Sequence, residues 1–294
     1  MTTQTVNPPP ESAASATAAC HPRPLLAAAT LCHRELVRFF RQRSRVVGAL
    51  GQPILFWLLF GAGLGSSFRL PGSEGGGVSY REYFFPGTLV MILLFTAIFS
   101  TISIIEDRRE GFLQSVLVAP IPRWSMVLGK VLGGSLIAMV QGLLFLTLVL
   151  VFTDDVHLDV WQLAAVVAFM FTIAVALTGL GFTIAWKMES TQGFHAIMSV
   201  FLLPMWLVSG AFFPVPSQPS GAVEWGLHWA MRANPLTYGV AGLRRLMYTE
   251  TSAAPLPPQT PEMPICLIVT LAFAAIMFAS SAAIARARTK GDLL

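Results

Sequence analysis

Six apolar stretches, each close to the length that crosses a bilayer, constrain this chain more than any other feature. They cover residues 46–68, 83–105, 126–152, 161–186, 194–213 and 264–285. About 20 mostly apolar residues in helical form span the hydrocarbon core, and a helix satisfies its own backbone polar groups there. The expected fold is an all-α polytopic membrane protein with six transmembrane helices. Composition agrees, because 12% of the residues are charged, about half the 25% usual in soluble domains.

The distribution of positive charge orients the spans. With both termini inside, fourteen of the 19 lysines and arginines fall in inner segments; Arg69, Arg81, Arg232, Arg244 and Arg245 fall outside. Inner loops carry the excess of Lys and Arg, so this allocation is the expected one. The charge is spread over a few loops rather than one face, and no nucleic-acid partner is expected.

Residues 1–24 are rich in Thr, Ser, Ala and Pro and read as a disordered cytoplasmic tail. They lack the basic and apolar regions of a secretory signal. Cys20-His21 and Cys32-His33 repeat a Cys-His pair, but the spacing fits no compact zinc module, and three scattered cysteines make no disulfide framework. No metal site is expected.

Residues 25–45 read as an amphipathic helix. At about 100° per residue, Arg34, Arg38, Arg41 and Arg45 share one stripe, with Leu36, Phe40 and Val47 opposite and Arg43 out of pattern. A solvated basic face is one reading; a helix lying along the inner membrane surface, drawn to anionic lipid, is the favoured one.

The loop between the second and third spans carries Arg108, Arg109, Arg123 and Lys130. Within it, residues 110–118 predict a short helix with Phe112, Leu113, Val116 and Leu117 on one side, stopped by Pro120 and Pro122. A short helix with an apolar face has little to bury alone and needs a partner. Gly61 with Gly65, and Gly129 with Gly133, are small-xxx-small pairs that let helices approach closely, with packing inside the chain favoured over a dimer contact. Pro53 and Pro204 predict kinks.

Residues 214–264 form the one long outer connection. Trp225 and Trp229 lie one turn apart in 223–231, and 236–247 is largely apolar; neither is long enough to span. Two short helices at the outer interface, followed by a Pro-rich linker over 252–264, are expected.

Catalytic chemistry is hard to assemble. Phosphate cradles of the P-loop kind need Gly-Lys-Ser/Thr, whereas Gly129-Lys130 is followed by Val131, and the other lysines are Lys187 and Lys290. His195 and Ser199 share a helix face but read as packing residues. Coupled carriers need ionisable groups at membrane depth; Glu106, Asp107, Lys130 and Lys187 lie at or near helix ends, and Gln141 is among the few polar groups within the spans.

The run Gly111-Phe-Leu-Gln-Ser-Val-Leu-Val-Ala-Pro-Ile-Pro-Arg-Trp124, followed by Leu128-Gly-Lys-Val-Leu-Gly133, resembles the first cytoplasmic loop of type-2 permeases of ABC exporters. Pro204-Met-Trp-Leu-Val-Ser-Gly-Ala-Phe-Phe-Pro214, Asn234-Pro235-Leu-Thr-Tyr238 and Leu243-Arg-Arg-Leu246 resemble the same family, so the likeness runs from about residue 25 to the C-terminus. It implies one transmembrane domain over 25–294, in a bacterial plasma (inner) membrane with both termini cytoplasmic. It also implies short re-entrant helices, around Trp225, Trp229, Asn234 and Pro235, before the last span. The chain would be a half-transporter that pairs with a second permease copy. An ABC ATPase on a separate polypeptide would hold ATP and Mg, leaving this chain without a cofactor or enzymatic activity of its own. The family's docking role falls on Arg108, Glu110, Gly111, Phe112, Leu113, Leu117, Pro120 and Arg123. The cargo would be an amphipathic drug, lipid or glycolipid. Two other classes stand beside this reading: an ATP-independent carrier or channel, and a non-transporting scaffold for an ATPase.

Overall fold

The computed structural model describes residues 23–42, 80–152, 158–215, 221–248, 256–257 and 259–287, with eight helical residues between 47 and 63. Most of the N-terminal tail and of the first apolar run, with Arg45, Pro53, Gly61 and Gly65, therefore lies outside the described residues. Within them every regular element is helical.

The bundle is built around α2 (Tyr80–Ser100) and its continuation α3 (Ile102–Arg109). Together they supply a 28-residue apolar helix, Glu82–Arg109, of which 89% of the most apolar window is buried. Thr101 marks the break between them. Its hydroxyl bonds the Ile98 carbonyl at 2.6 Å and that of Ser100 bonds the Ala97 carbonyl at 2.7 Å, the back-bonding that bends helices.

Three further long helices pack around this centre: α5 (Arg123–Phe152), α6 (Val160–Ala185) and α10 (Met263–Arg286). α6 starts with a reciprocal cap between Asp159 and Gln162, which satisfies two orphan amides. α7 (Thr191–Trp206) is capped by Ser190, which accepts from the Gly193 amide. Pro204 lies near its end, and the chain loosens there into a wide turn over Leu207–Ala211, where Gly210 adopts φ 77°. The helix thus ends in the expected interruption, and Gly87 of α2 lets it sit close. A Cβ on Gly87 would lie 2.6 Å from that of Ala211.

Among the described residues five helices, Glu82–Arg109, Arg123–Phe152, Val160–Ala185, Thr191–Ala211 and Met263–Arg286, are long and apolar enough to cross a membrane. They match the second to sixth predicted spans. Exposed Leu144, Val151, Val200, Phe201, Ile268 and Ile276 cover the outside of the bundle, as expected where the solvent is acyl chain. The chain is an all-α polytopic membrane protein.

Two short helices, α8 (Ala222–Ala233) and α9 (Pro235–Met247), occupy the connection before the last span within a few residues of the predicted bounds. Asn234 links them. Its Oδ1 accepts from the Leu236 amide at 3.0 Å and its Nδ2 donates to the Met205 carbonyl at 2.6 Å, in the stretch loosened by Pro204. Pro235 occupies the first turn of α9, where no amide is needed. Trp225 and Trp229 are 50% and 59% exposed, while His228 and Met231 between and beyond them face inward.

Candidate functional site

At the opposite end of the bundle, α3 turns into the short helix α4 (Phe112–Val118) through Gly111. Gly111 has φ 77°, a left-handed conformation that glycine adopts at low cost. An added Cβ would meet nothing closer than 4.0 Å, so conformation rather than space requires the glycine. α4 stops at Ala119, which is extended before Pro120, as a residue preceding proline tends to be.

α4 is two-faced. Leu113 is buried at 3% exposure, and Phe112, Val116 and Leu117 pack partly buried against the core. Gly111, Ser115, Val118 and Pro120 face outward, with Val118 78% exposed. The predicted apolar side is therefore turned into the bundle. Leu113, which the docking expectation included, packs into the chain's own core, and the outward surface is the side carrying Val118.

Two arginines of the same expectation also point inward. Arg108 donates to the carbonyls of Trp186 (2.7 Å) and Met188 (3.2 Å), just past the end of α6, and lies 5.4 Å over the Trp186 ring. Arg123 donates to the carbonyls of Ala285 (2.8 Å) and Arg286 (3.2 Å), the last turn of α10. Cations there complete unsatisfied carbonyls and oppose the negative end of the helix dipole. The α4 junction is thereby tied to the ends of two long helices.

The N-terminal helix α1 (Pro24–Arg41) lies along α5 and completes the junction. Gly129 and Gly133 are its seat: added Cβ atoms would lie 2.7 Å from the Ala28 carbonyl oxygen and 2.8 Å from the Glu35 Cβ. The second glycine pair thus packs within the chain. α1 has three faces. Ala28, Leu31, Glu35 and Phe39 are buried, Leu25, Leu26, Val37 and Phe40 are exposed, and the arginines lie between.

Arg34 and Arg38 are engaged by carboxylates at the end of α3. Arg34 grips Asp107 through two bonds of 2.7 and 3.0 Å and lies 3.7 Å over the Phe112 ring. Arg38 bonds Asp107 at 2.8 Å and pairs with Glu106 at 3.0 Å and Glu110 at 3.2 Å. Burial disfavours the charged Arg34, but the hydrogen bond and charge of Asp107 outweigh it and hold its pKa above the ordinary value. Arg41 is exposed at the end of α1. The basic stripe therefore meets protein acids at two positions where the sequence reading had offered only lipid or water.

Lys130 sits at the centre, 6% exposed. Its Nζ donates to Glu35 at 2.6 Å, to Ser103 at 3.3 Å and to Asp107. Glu35, Asp107 and Lys130 are all but sealed from solvent, and buried charges persist when paired and hydrogen-bonded. Sequence reasoning missed this cluster. Two signals were there: Lys130 is the one charge inside the third apolar run, and Glu35 is an acid between Leu31 and Phe39 on the apolar face of a basic helix.

A bundle of membrane-length helices, with a braced short helix at one end and a pair of short helices at the other, makes this a polytopic membrane protein. The chain belongs to the ABC-2 type transporter family, whose profile matches residues 27–248, from α1 to the end of α9. Among its relatives is ycf38 of Cyanophora paradoxa, named as a transport permease. It is 28% identical over 224 residues, covering 76% of this chain and 74% of the relative. The ycf38 protein of Porphyra purpurea is 23% identical over 226 residues, 75% and 73% of the two chains. YbhR of Escherichia coli K12, named as a multidrug ABC transporter permease, is 24% identical over 151 residues, 48% of this chain and 38% of its own length.

Proposed function

We propose that this chain is the membrane subunit of an ATP-driven exporter, with an ABC ATPase on a separate polypeptide. Family membership implies that partner; ATP and Mg would reside there. The observation that carries the mechanical part is the placement of α4. It presents Ser115, Val118 and Pro120 outward, while Arg108 and Arg123 tie its flanks to the ends of α6 and α10. A push on α4 by a closing ATPase dimer would move three long helices together, the kind of rigid-body shift that exchanges two access states. Two copies of the chain, or one with a close relative, would enclose the path. The cargo would be amphipathic, such as a drug, lipid or glycolipid, because the spans offer few charges.

In this reading α4 and both termini lie on the cytoplasmic side of a bacterial inner membrane, in keeping with the fourteen-to-five charge bias. The test has two parts. The purified chain alone should hydrolyse no ATP, with hydrolysis appearing only when a P-loop ATPase co-purifies; turnover by the clean isolated chain would refute the division of labour. With native cysteines removed, Ser115→Cys should react with an impermeant maleimide only in opened cells and Val160→Cys in intact ones. The reverse pattern would invert the topology.

A further inference from the structure

At the α8–α9 end, Arg244 presents the opposite situation to Lys130. It is 6% exposed. One of its terminal nitrogens donates to the carbonyls of Tyr83 (3.2 Å) and Gly210 (3.4 Å), and the guanidinium lies 4.3 Å from the centre of the Tyr83 ring. The Gly210 carbonyl is shared, since the Tyr83 hydroxyl donates to it at 3.0 Å. The Arg244 Nε–H is buried with no acceptor, and among the described residues no carboxylate pairs with this side chain. Arginine cannot shed its proton in a protein. A sealed, permanent cation held by carbonyl dipoles and a ring face lacks the counter-charge that buried ions ordinarily have.

The space beside it is shaped to receive one. Ser209, Gly210, Thr237, Arg244 and Thr260 line a chamber of about 20 Å³, enough for roughly one water-sized group. Val215, Thr237, Gln259 and Pro261 also border a larger cleft of about 280 Å³, whose other walls are Arg232, Tyr238 and Ile265. Among the described residues neither space has an acidic wall. The larger one borders the exposed apolar flank of α10 at Ile265 and Ile268. Its volume falls just below the range of small-molecule pockets, so it accommodates a headgroup rather than a whole amphiphile.

We propose that this cleft binds the acidic headgroup, phosphate or carboxylate, of an anionic amphiphile. One oxygen of the headgroup enters the adjoining small chamber lined by Arg244, Arg232 lies on the wall of the cleft itself, and the acyl chain lies along α10. A guanidinium, with its fork of donors, suits such an oxyanion better than an ammonium would. The site involves no ATPase, so its fate is separate from that of the exporter reading.

The test is lipid retention by the purified full-length chain. Detergent-solubilised protein is given equal amounts of phosphatidylglycerol and phosphatidylcholine with the same acyl chains, and adducts are counted by native mass spectrometry. The wild type should favour phosphatidylglycerol by about tenfold, the scale of one charge-assisted hydrogen bond. Arg244→Gln and Arg232→Gln should each reduce the preference, and Arg244→Lys should keep part of it. Millimolar inorganic phosphate should leave the lipid bound. No preference in the wild type, or a preference unchanged in the variants, would overturn the proposal. Displacement by inorganic phosphate would do so too, by making the ligand a free anion. If Arg244→Gln does not fold, Arg232→Gln, whose side chain is exposed, decides the matter.

Discussion

The most buried cation at each end of this bundle, Lys130 at one and Arg244 at the other, is held in an opposite way. At the α4 end, Lys130, Arg34 and Arg38 meet Glu35, Asp107, Glu106 and Glu110. At the α8–α9 end, Arg244 meets backbone carbonyls and the Tyr83 ring, and Arg245 meets the carbonyls of Pro261 (2.6 Å) and Thr260 (2.9 Å), with no carboxylate paired to either among the described residues. The surroundings differ in kind as well. Tyr80, Phe84, Trp206 and Phe212 form an edge-to-face and stacked cluster at the second end, a geometry that adds to simple burial. Charge pairs fix α1, α3 and α5 in one register, because losing one partner strands another. Aromatic rings and shared carbonyls can be exchanged with less penalty.

Breaking this contrast begins with Lys130→Met. Removing the cation takes the short 2.6 Å partner from Glu35, leaving it only Arg34 at 3.3 Å, and takes one of three cations from Asp107, and breaking a buried pair costs about 3–5 kcal/mol. The folded, detergent-soluble fraction should collapse in a size-exclusion thermal melt. Survival with a normal melt would mean that the cluster is solvated. Next in size is Asn234→Ala at the other end, which removes a helix cap and the bond to the Met205 carbonyl. A cap is worth about 1 kcal/mol, so the protein should fold, lose a few degrees of stability and show faster amide exchange confined to α8 and α9. Exchange that rises equally at α4 would erase the distinction.

Val118→Asp should have the smallest effect on folding, within about 0.5 kcal/mol for an exposed position. It should still release the ATPase on co-purification, whereas Leu113→Asp, a charge placed in the core, should fail earlier by not folding. If Val118→Asp retains the ATPase at wild-type stoichiometry, the outward side of α4 is not its dock.

Much of this was legible in the sequence because it rests on local periodicity. Five spans, the short helix after Gly111, the seat at Gly129 and Gly133, and the Asn234-Pro235 junction all follow from patterns within about 20 residues. The charge clusters did not. Lys130 and Glu35 are 95 positions apart, and Arg34 and Asp107 are 73 apart. No periodicity links them, and an arginine stripe on a surface helix has two possible partners, lipid and acid, that composition alone does not separate. The direction of α4 was ambiguous for a similar reason. A short apolar face must be covered by something, and only the packing reveals that the chain covers it itself.

The clamps on α10 have a mechanical consequence. Arg245 holds the backbone just before this helix and Arg123 holds its last turn, while only 17% of its most apolar window is buried by protein. It resembles a strut pinned at both tips and left largely uncovered by this chain along its length. Its 24 residues span about 36 Å at 1.5 Å per residue, longer than a hydrocarbon core of roughly 30 Å, so its tilt must answer to membrane thickness. A thinner bilayer leans the strut further, and Arg123 passes that lean to the flank of α4. ATPase turnover should therefore vary with acyl-chain length in reconstituted vesicles, and Arg123→Ala should flatten the dependence; an unchanged slope would show that the strut carries no tension.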